Sequence, residues 1–231
     1  MRHAIVTGAS SGIGEAIVTQ LLNDGWQVTG LCRSSVARSD PAFCSDPAFC
    51  SVNVDLSDNS SLWEIMPTLA TPDAIIHAAG IMAAAPLGEL NADISQRLWH
   101  LHIEAVETLV NYFAPRMVAG GRVVAIGSRT SRGAAGRSQY AATKAALVGM
   151  IRSWAAELAP KGITVNVVAP GAPQTPMLKM PGRESSPPNV PPIGRLIKPQ
   201  EVASLVAWLV SENAAAVTGQ ELVICGGASL R

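Results

Sequence analysis

Strand-like and helix-like segments alternate from the start of this chain almost to its end, and that alternation limits the possible fold more than any other feature. Ala4–Thr7 reads as a buried strand, and Ile13, Ala16, Ile17 and Leu21 then recur at helical spacing up to Gly25. Gln27–Cys32 and Ser51–Leu56 predict the second and third strands. Asp58–Leu69 predicts a helix, with Ser57 or Asp58 as its cap and Pro67 near its end. Ala74–Ala78 predicts a fourth strand, Ile94–Met117 a long helix, Arg122–Ile126 a fifth strand and Ser138–Leu158 another helix. Thr164–Ala169, Pro199–Ser211 and Glu221–Cys225 complete the order as strand, helix and strand. Parallel strands need crossover connections, so the sheet must be covered on both faces. The expectation is a doubly wound α/β fold of about seven strands with helices on both faces, forming one domain over residues 1–231.

Two stretches break the alternation. The hexapeptide Asp-Pro-Ala-Phe-Cys-Ser occurs at 40–45 and again at 46–51. This period is too short for a repeat architecture, so the duplication reads as an elongated surface loop. Pro173–Pro199 contains eight prolines; it cannot be a regular helix and is expected to be a mobile flap beside the ligand.

Composition narrows the function classes. Net charge is zero and only ten residues are aromatic, which argues against a nucleic-acid surface. No apolar run approaches the roughly 20 residues of a membrane span, and Met1–Val6 is too short for a secretion signal. The cysteines Cys32, Cys44, Cys50 and Cys225 show no metal-ligand spacing. No metal is expected, and the reading is a cytoplasmic protein with free thiols. Charge is uneven along the chain: Asp40 to Glu107 holds ten acids and one base, whereas Thr108 to Ala156 holds seven bases and no acid. That asymmetry suits a polyanionic ligand, or the pairing of an acidic helix with a basic one.

The first strand runs into Gly8-Ala9-Ser10-Ser11-Gly12-Ile13-Gly14 and then a helix. Such a turn aims free backbone N–H groups and the positive helix end at one point, suited to a pyrophosphate. Gly8 suits the tight turn, Gly12 the approach of the phosphates and Gly14 close helix–strand packing. Further along, Tyr140 and Lys144 share one helix face. A phenol of pKa about 10 is a poor base, and a neighbouring ammonium favours its phenolate. Ser128, twelve residues before Tyr140 and just past the fifth strand, lies where such sheets place ligands. Its hydroxyl is suited to hold a substrate oxygen while Tyr140 moves the proton. Ser131 is the lesser candidate.

The Gly-x3-Gly-x-Gly turn, Ala78-Ala79-Gly80, Tyr140-x3-Lys144, Asn166–Gly171 with Thr175, and Thr218-Gly219-Gln220 with Gly226-Gly227 together resemble the short, single-domain branch of the short-chain dehydrogenases/reductases. The resemblance spans essentially the whole chain and implies a Rossmann-like fold. It also implies that Lys144 holds the nicotinamide ribose, that Asp55 and Leu56 contact the adenine, that Ala79 and Gly80 border the cofactor, and that Pro170, Gly171 and Thr175 flank the nicotinamide. A homotetramer, a dimer of dimers, is implied as well. The long helices carry opposite charges, Glu104 and Glu107 against Lys144 and Arg152, which suit a symmetric contact.

Three positions depart from the family. His102 stands where an asparagine usually supports the proton relay, so it either shuttles the proton itself, blocks the water, or merely packs. His77 replaces an asparagine before Ala-Ala-Gly, with a structural role expected. Pro173 lacks the N–H that commonly clasps the nicotinamide amide.

The second strand ends Cys32-Arg33-Ser34-Ser35, with no acid before Asp40. A carboxylate at this place grips the ribose of NAD, whereas a guanidinium suits a 2′-phosphate. The expected cofactor is therefore NADP(H), with NAD(H) the alternative. The expected reaction moves a hydride between that cofactor and a carbonyl or secondary alcohol. Candidate substrates are a 3-oxoacyl thioester or a small or cyclic ketone. Arg129, Arg132 and Arg137 either receive an anionic substrate or are solvated loop charges. The competing reading is a non-catalytic dinucleotide-binding regulator or scaffold, against which stand Ser128, Tyr140 and Lys144 together.

Overall fold

The computed structural model describes residues 1–33, 46–179 and 189–230. Seven strands form one wholly parallel sheet: β1 (His3–Thr7), β2 (Gln27–Cys32), β3 (Phe49–Asn53), β4 (Ala74–His77), β5 (Arg122–Ile126), β6 (Thr164–Pro170) and β7 (Glu221–Ile224). Their order is β3-β2-β1-β4-β5-β6-β7. The order reverses between β1 and β4, which opens a crevice at the carboxyl ends of those two strands.

Helices α1 (Gly12–Asn23), α2 (Asn59–Ile65), α3 (Ala92–Trp99), α4 (Ala105–Phe113), α5 (Ser138–Leu158) and α6 (Pro199–Val210) connect the strands. The two faces of the sheet carry separate cores. Ile5, Ile75, Val123 and Val165 pack with Leu109, Phe113, Leu147 and Ile151 of α4 and α5. The alternate residues Val6, Ile76, Val124 and Val168 pack with Ile17, Leu21, Val206 and Leu209 of α1 and α6. Strand side chains alternate faces with period two, so strands apolar at every position imply a sheet buried on both sides. The doubly wound expectation is met.

Most boundaries fall where periodicity and caps place them. Asp58 caps α2 by accepting the Ser60 N–H, and Asn91 caps α3 by accepting the N–H groups of Asp93 and Ile94. Gly25, with φ +78°, ends α1. At α6, Pro199 occupies the first turn and Glu201 accepts the Lys198 N–H while pairing with Arg195.

Three expectations are corrected. β3 runs Phe49–Asn53 rather than 51–56, so the second copy of the hexapeptide enters the sheet instead of forming a loop. The residues of this edge strand are not apolar in alternation. Its register comes from pairing with β2, Phe49 against Val28, and a Cβ on Gly30 would stand 3.0 Å from the Phe49 ring. The first hexapeptide copy, at 40–45, lies outside the described residues. The helix at 58–69 is shorter, α2 being followed by a 3-10 turn at Met66–Thr68 that carries Pro67. The long helix begins at Ala92, ends at Phe113, and is interrupted by a π-helical turn at His100–Glu104. The proline-rich stretch, expected to be a mobile flap, lies partly outside the described residues. Among the described residues no helix is long and apolar enough to cross a membrane.

Candidate active site

The carboxyl ends of the strands surround a cavity of about 1010 Å³, lined by Ser128, Tyr140, Lys144 and His102 together with the glycine turn, Arg33, Asp55, Leu56, Ala79, Gly80, Pro170, Gly171 and Thr175. Its floor is the glycine turn between β1 and α1. Gly8 and Gly12 have φ of +68° and +60°, and a Cβ on Gly8 would stand 2.8 Å from the Ala79 Cα. A Cβ on Gly14 would stand 2.1 Å from the Gly8 carbonyl oxygen. These positions tolerate only glycine, for turn geometry and for packing. Ser11 caps α1 in an extended conformation with no side-chain bond to the helix. The first turn of α1 opens on the cavity, which Ser10, Ser11, Gly12 and Ile13 line. This cradle fits a pyrophosphate.

The switch point between β1 and β4 is tied by one hydroxyl. Thr7 Oγ1 accepts the N–H groups of Ala78 and Ala79 and lies 3.0 Å from His77 Nδ1. The hydroxyl proton therefore goes to Nδ1, and the ring carries its own proton on Nε2. That atom is buried, with the Leu101 backbone as its polar neighbour but outside strict hydrogen-bond geometry. Burial pushes the His77 pKa down to about 3, and the charge of Lys144 adds to this. His77 is a neutral core histidine, as its expected structural role requires.

At the adenosine end, Cys32 is buried and Arg33 is exposed where β2 ends. Ser34 and Ser35 lie outside the described residues. Asp55 and Leu56 sit in the turn after β3 rather than on it. Asp55 accepts the Ser57 hydroxyl and N–H, which hold its carboxyl below the usual range, and Arg33 adds to the effect.

The chemical centre lies where β5 ends and α5 begins. Ser128 caps the 3-10 turn Arg129–Arg132; its Oγ accepts the Thr130 N–H at 3.2 Å and shares a 2.8 Å hydrogen bond with the Thr130 hydroxyl. Tyr140 and Lys144 lie in the first two turns of α5, both buried. Lys144 Nζ donates to the Ile126 carbonyl at 2.8 Å and lies 5.9 Å from the centre of the Tyr140 ring. Burial pushes the Lys144 pKa down to about 7. Lys144 faces this pocket, so it takes no part in the charge pairing between long helices anticipated from the sequence.

His102 projects from the π-helical turn and is wholly buried. Its Nε2 accepts the Ile81 N–H at 3.1 Å, so Nδ1 carries the proton and donates to Thr143 Oγ1 at 2.9 Å. Thr143 in turn donates to the Tyr140 carbonyl at 2.9 Å. The imidazole meets the Tyr140 ring edge to face at 5.5 Å. Burial, first, and the charge of Lys144 keep it neutral, well below an ordinary histidine pKa. Both ring nitrogens are engaged by protein groups, an arrangement that holds a proton in place rather than passing one on.

The roof comes from the strand-end turns of β6 and β7. Pro170, Gly171, Pro173 and Thr175 line the cavity. The Pro173 carbonyl accepts the Thr175 N–H at 2.9 Å, so this residue has no N–H to offer and its C=O is engaged by Thr175. Pro191 and Pro192 of the proline-rich stretch also line it and pack on Gly226 and Gly227. Arg129 and Arg137 open into the cavity, whereas Arg132 is exposed and does not line it. Ser131 donates to Glu221 at 2.8 Å and is likewise off the lining. Sequence reasoning passed over Thr7, Thr143 and Arg97. Thr7 ends β1 directly before the glycine turn and Thr143 lies inside Tyr140-x3-Lys144; Arg97 lies on α3, one turn before Leu101, which also lines the cavity.

Comparison with known proteins places this geometry. The family model described as enoyl-(acyl carrier protein) reductase matches residues 8–229. The chain is 34% identical to the cyclic-di-GMP-binding biofilm dispersal mediator protein of Escherichia coli K12, over 97% of this chain and 96% of that one. It is 33% identical to the 3-oxoacyl-(acyl-carrier-protein) reductase of Salmonella typhimurium LT2, with the same coverage. Among solved structures, a short chain dehydrogenase/reductase family protein superposes with a TM-score of 0.90 at 32% identity, covering 100% of this chain and 98% of that one. The BdcA protein in complex with NADPH superposes with a TM-score of 0.85 at 33% identity, covering 98% and 95%. The chain belongs to the short-chain dehydrogenase/reductase family of oxidoreductases.

Proposed function

We propose that the protein interconverts a ketone and a secondary alcohol with NADP(H), using Tyr140 as the proton donor and acceptor. The observation that carries this reading is the convergence of Ser128, Tyr140 and Lys144 on the cavity floored by the glycine cradle. The cradle and the start of α1 that opens on the cavity fit a dinucleotide pyrophosphate. When bound there, the nicotinamide supplies or takes up the hydride.

The protein's own groups do the rest. In the reducing direction Ser128 donates a hydrogen bond to the carbonyl oxygen, and the Tyr140 O–H bond breaks as its proton moves to that oxygen. The phenolate left behind is stabilised by the Lys144 ammonium, which the Ile126 carbonyl orients. His102 keeps its proton on Nδ1 and acts through Thr143 on the position of Tyr140; it is a positioning residue.

The preference for NADP(H) rests on Arg33 at a strand end without a carboxylate and on the NADPH carried by a structural neighbour. The 3-oxoacyl class named for the Salmonella relative is the leading substrate class, with small or cyclic ketones next. The buried thiols of Cys32, which meets the Ser51 hydroxyl, and Cys225, which meets the Ser229 hydroxyl, suit a reducing compartment such as the cytoplasm.

The test is Tyr140→Phe assayed by NADPH oxidation with a panel of 3-oxo esters and cyclic ketones. Turnover is expected to fall by about 100-fold or more, with NADPH affinity preserved. A variant that keeps more than about a tenth of the wild-type rate would assign the proton chemistry to another residue.

A further inference from the structure

The substrate end of the cavity holds more positive charge than the reaction requires. Among the charged side chains on the described lining, five are cationic (Arg33, Arg97, Arg129, Arg137 and Lys144) and one, Asp55, is a carboxylate. Arg33 and Asp55 belong to the adenosine end, and Lys144 serves Tyr140. Arg97, Arg129 and Arg137 remain, in a chain whose net charge is zero.

These three arrive from separate elements held in one frame. Arg97 lies on α3, Arg129 opens the 3-10 turn beside Ser128, and Arg137 precedes α5. Gln139 donates to the Asn91 carbonyl and to Ser95 Oγ, joining the start of α5 to the start of α3. The Ala85 N–H bonds the Gly136 carbonyl at 2.9 Å, fastening the two loops between them. Ser131 anchors the 3-10 turn to Glu221. Among the described residues neither Arg97 nor Arg129 meets a carboxylate. Gathering guanidiniums around a cavity whose described lining carries a single carboxylate, Asp55 at the adenosine end, raises a positive potential there, which an entering anion relieves. Arg129 adjoins the very serine that holds the substrate oxygen, so the anion it meets lies on the same small molecule or on the arm that presents it.

We infer that the substrate carries an anionic group, a carboxylate or a phosphate, which Arg97, Arg129 and Arg137 grip while Ser128 and Tyr140 hold its carbonyl oxygen. A planar guanidinium takes either anion through two parallel hydrogen bonds. This rests on the reductase reading for the carbonyl, though not for the anion. The anion has two sources: the carboxylate of a small oxo acid, or the phosphate of a carrier arm on an oxoacyl thioester.

Two matched pairs of ligands separate these sources. Calorimetric titration of the NADP⁺-loaded protein, which holds no hydride to transfer, compares 3-oxobutanoate with its methyl ester. It also compares the coenzyme A thioester of the same acid with its neutral N-acetylcysteamine thioester. The charged member of at least one pair should bind about tenfold more tightly or better. A preference within the acid–ester pair assigns the carboxylate, and one within the thioester pair alone assigns the carrier phosphate. Arg97→Ala and Arg129→Ala should each erase most of the preference, Arg129→Lys should keep part of it, and Arg132→Ala, off the lining, should leave it intact. Equal affinities within both pairs, no binding of any of the four, or a preference that survives both alanine variants overturns the inference. NADPH oxidation with the same ligands reads the reductase reading separately. Arginine-dependent binding without turnover of any ketone would sink the reductase and spare the anion site; turnover indifferent to charge would do the reverse.

Discussion

Burial decides the charge state of three basic side chains at the centre of this site. His77, His102 and Lys144 all have pKa values below their ordinary ranges, with desolvation the largest cause in each. The unfolded chain therefore binds protons that the folded one does not. For the two histidines, stability is complete above about pH 6.5 and is lost as pH falls, by up to about 1.4 kcal/mol per unit for each ring. For Lys144 the same sign makes stability rise with pH from about 7 toward the unfolded value of 10.5. Urea unfolding of the cofactor-free protein should thus show a fall in stability from pH 7 to pH 5 that is shallower in His102→Asn; identical slopes would mean that the ring is not held neutral. Arg33 is the residue expected to choose the cofactor. Arg33→Ala should lose about 1.5–3 kcal/mol in kcat/KM with NADPH and little with NADH, because only a 2′-phosphate offers the guanidinium a charged acceptor. Equal losses with both cofactors, or a wild-type preference for NADH, would contradict this.

The element that most distinguishes this chain is the π-helical turn at His100–Glu104, set between α3 and α4. Such a turn widens the helix and forgoes regular i→i+4 bonds, and it persists here with side-chain bonds around it. His100 bonds Glu104 across the turn, Asn59 donates to the same carboxylate, and His102 bonds Ile81 and Thr143. The chain from Ile81 through His102 and Thr143 to the Tyr140 carbonyl links the end of β4 to the first turn of α5. Thr143→Val preserves shape and removes its one buried hydroxyl, leaving His102 Nδ1–H without its acceptor. The expected cost is about 1–3 kcal/mol by denaturant unfolding, with a fall in kcat exceeding any change in cofactor affinity. Unchanged stability would show that the hydroxyl carries no such link. None of this was legible beforehand: Ile94–Met117 has helical periodicity throughout, and periodicity does not register a single widened turn.

At the scale of the whole molecule, apolar surface remains on the face formed by α2, α3, α4 and α5. Trp63 and Trp99 are 48% and 44% exposed, and Leu101, Tyr112, Met150 and Trp154 are only partly covered. Exposed aromatic side chains on adjoining helices suit a self-complementary contact, and the family resemblance implies a dimer of dimers. Light scattering at micromolar concentration should report a homo-oligomer; a stable monomer would refute it. Glu104 and Lys144 are both engaged within the chain, so the contact would rest on apolar area more than on the opposite charges noted in the sequence.

The order of strands and helices, the glycine cradle, and the shared face of Tyr140 and Lys144 were determined by the sequence itself. Each is a local property: a period of two or 3.6, a residue without Cβ, a spacing of four on a helix. Tertiary structure decided the rest. Pairing with β2 set the start of β3 at Phe49, against the loop that Asp-Pro-Ala-Phe-Cys-Ser suggests. The tautomer of His102 depends on partners 21 and 41 residues away, and the depressed pKa of Lys144 depends on how completely the fold excludes water from it. Arg97 lines the same cavity as Arg129 and Arg137, from a helix, α3, that Gln139 fastens to α5. Periodicity and motif spacing describe neighbours along the chain; desolvation and long-range hydrogen bonds depend on neighbours in space, which exist only once the sheet has closed its two faces.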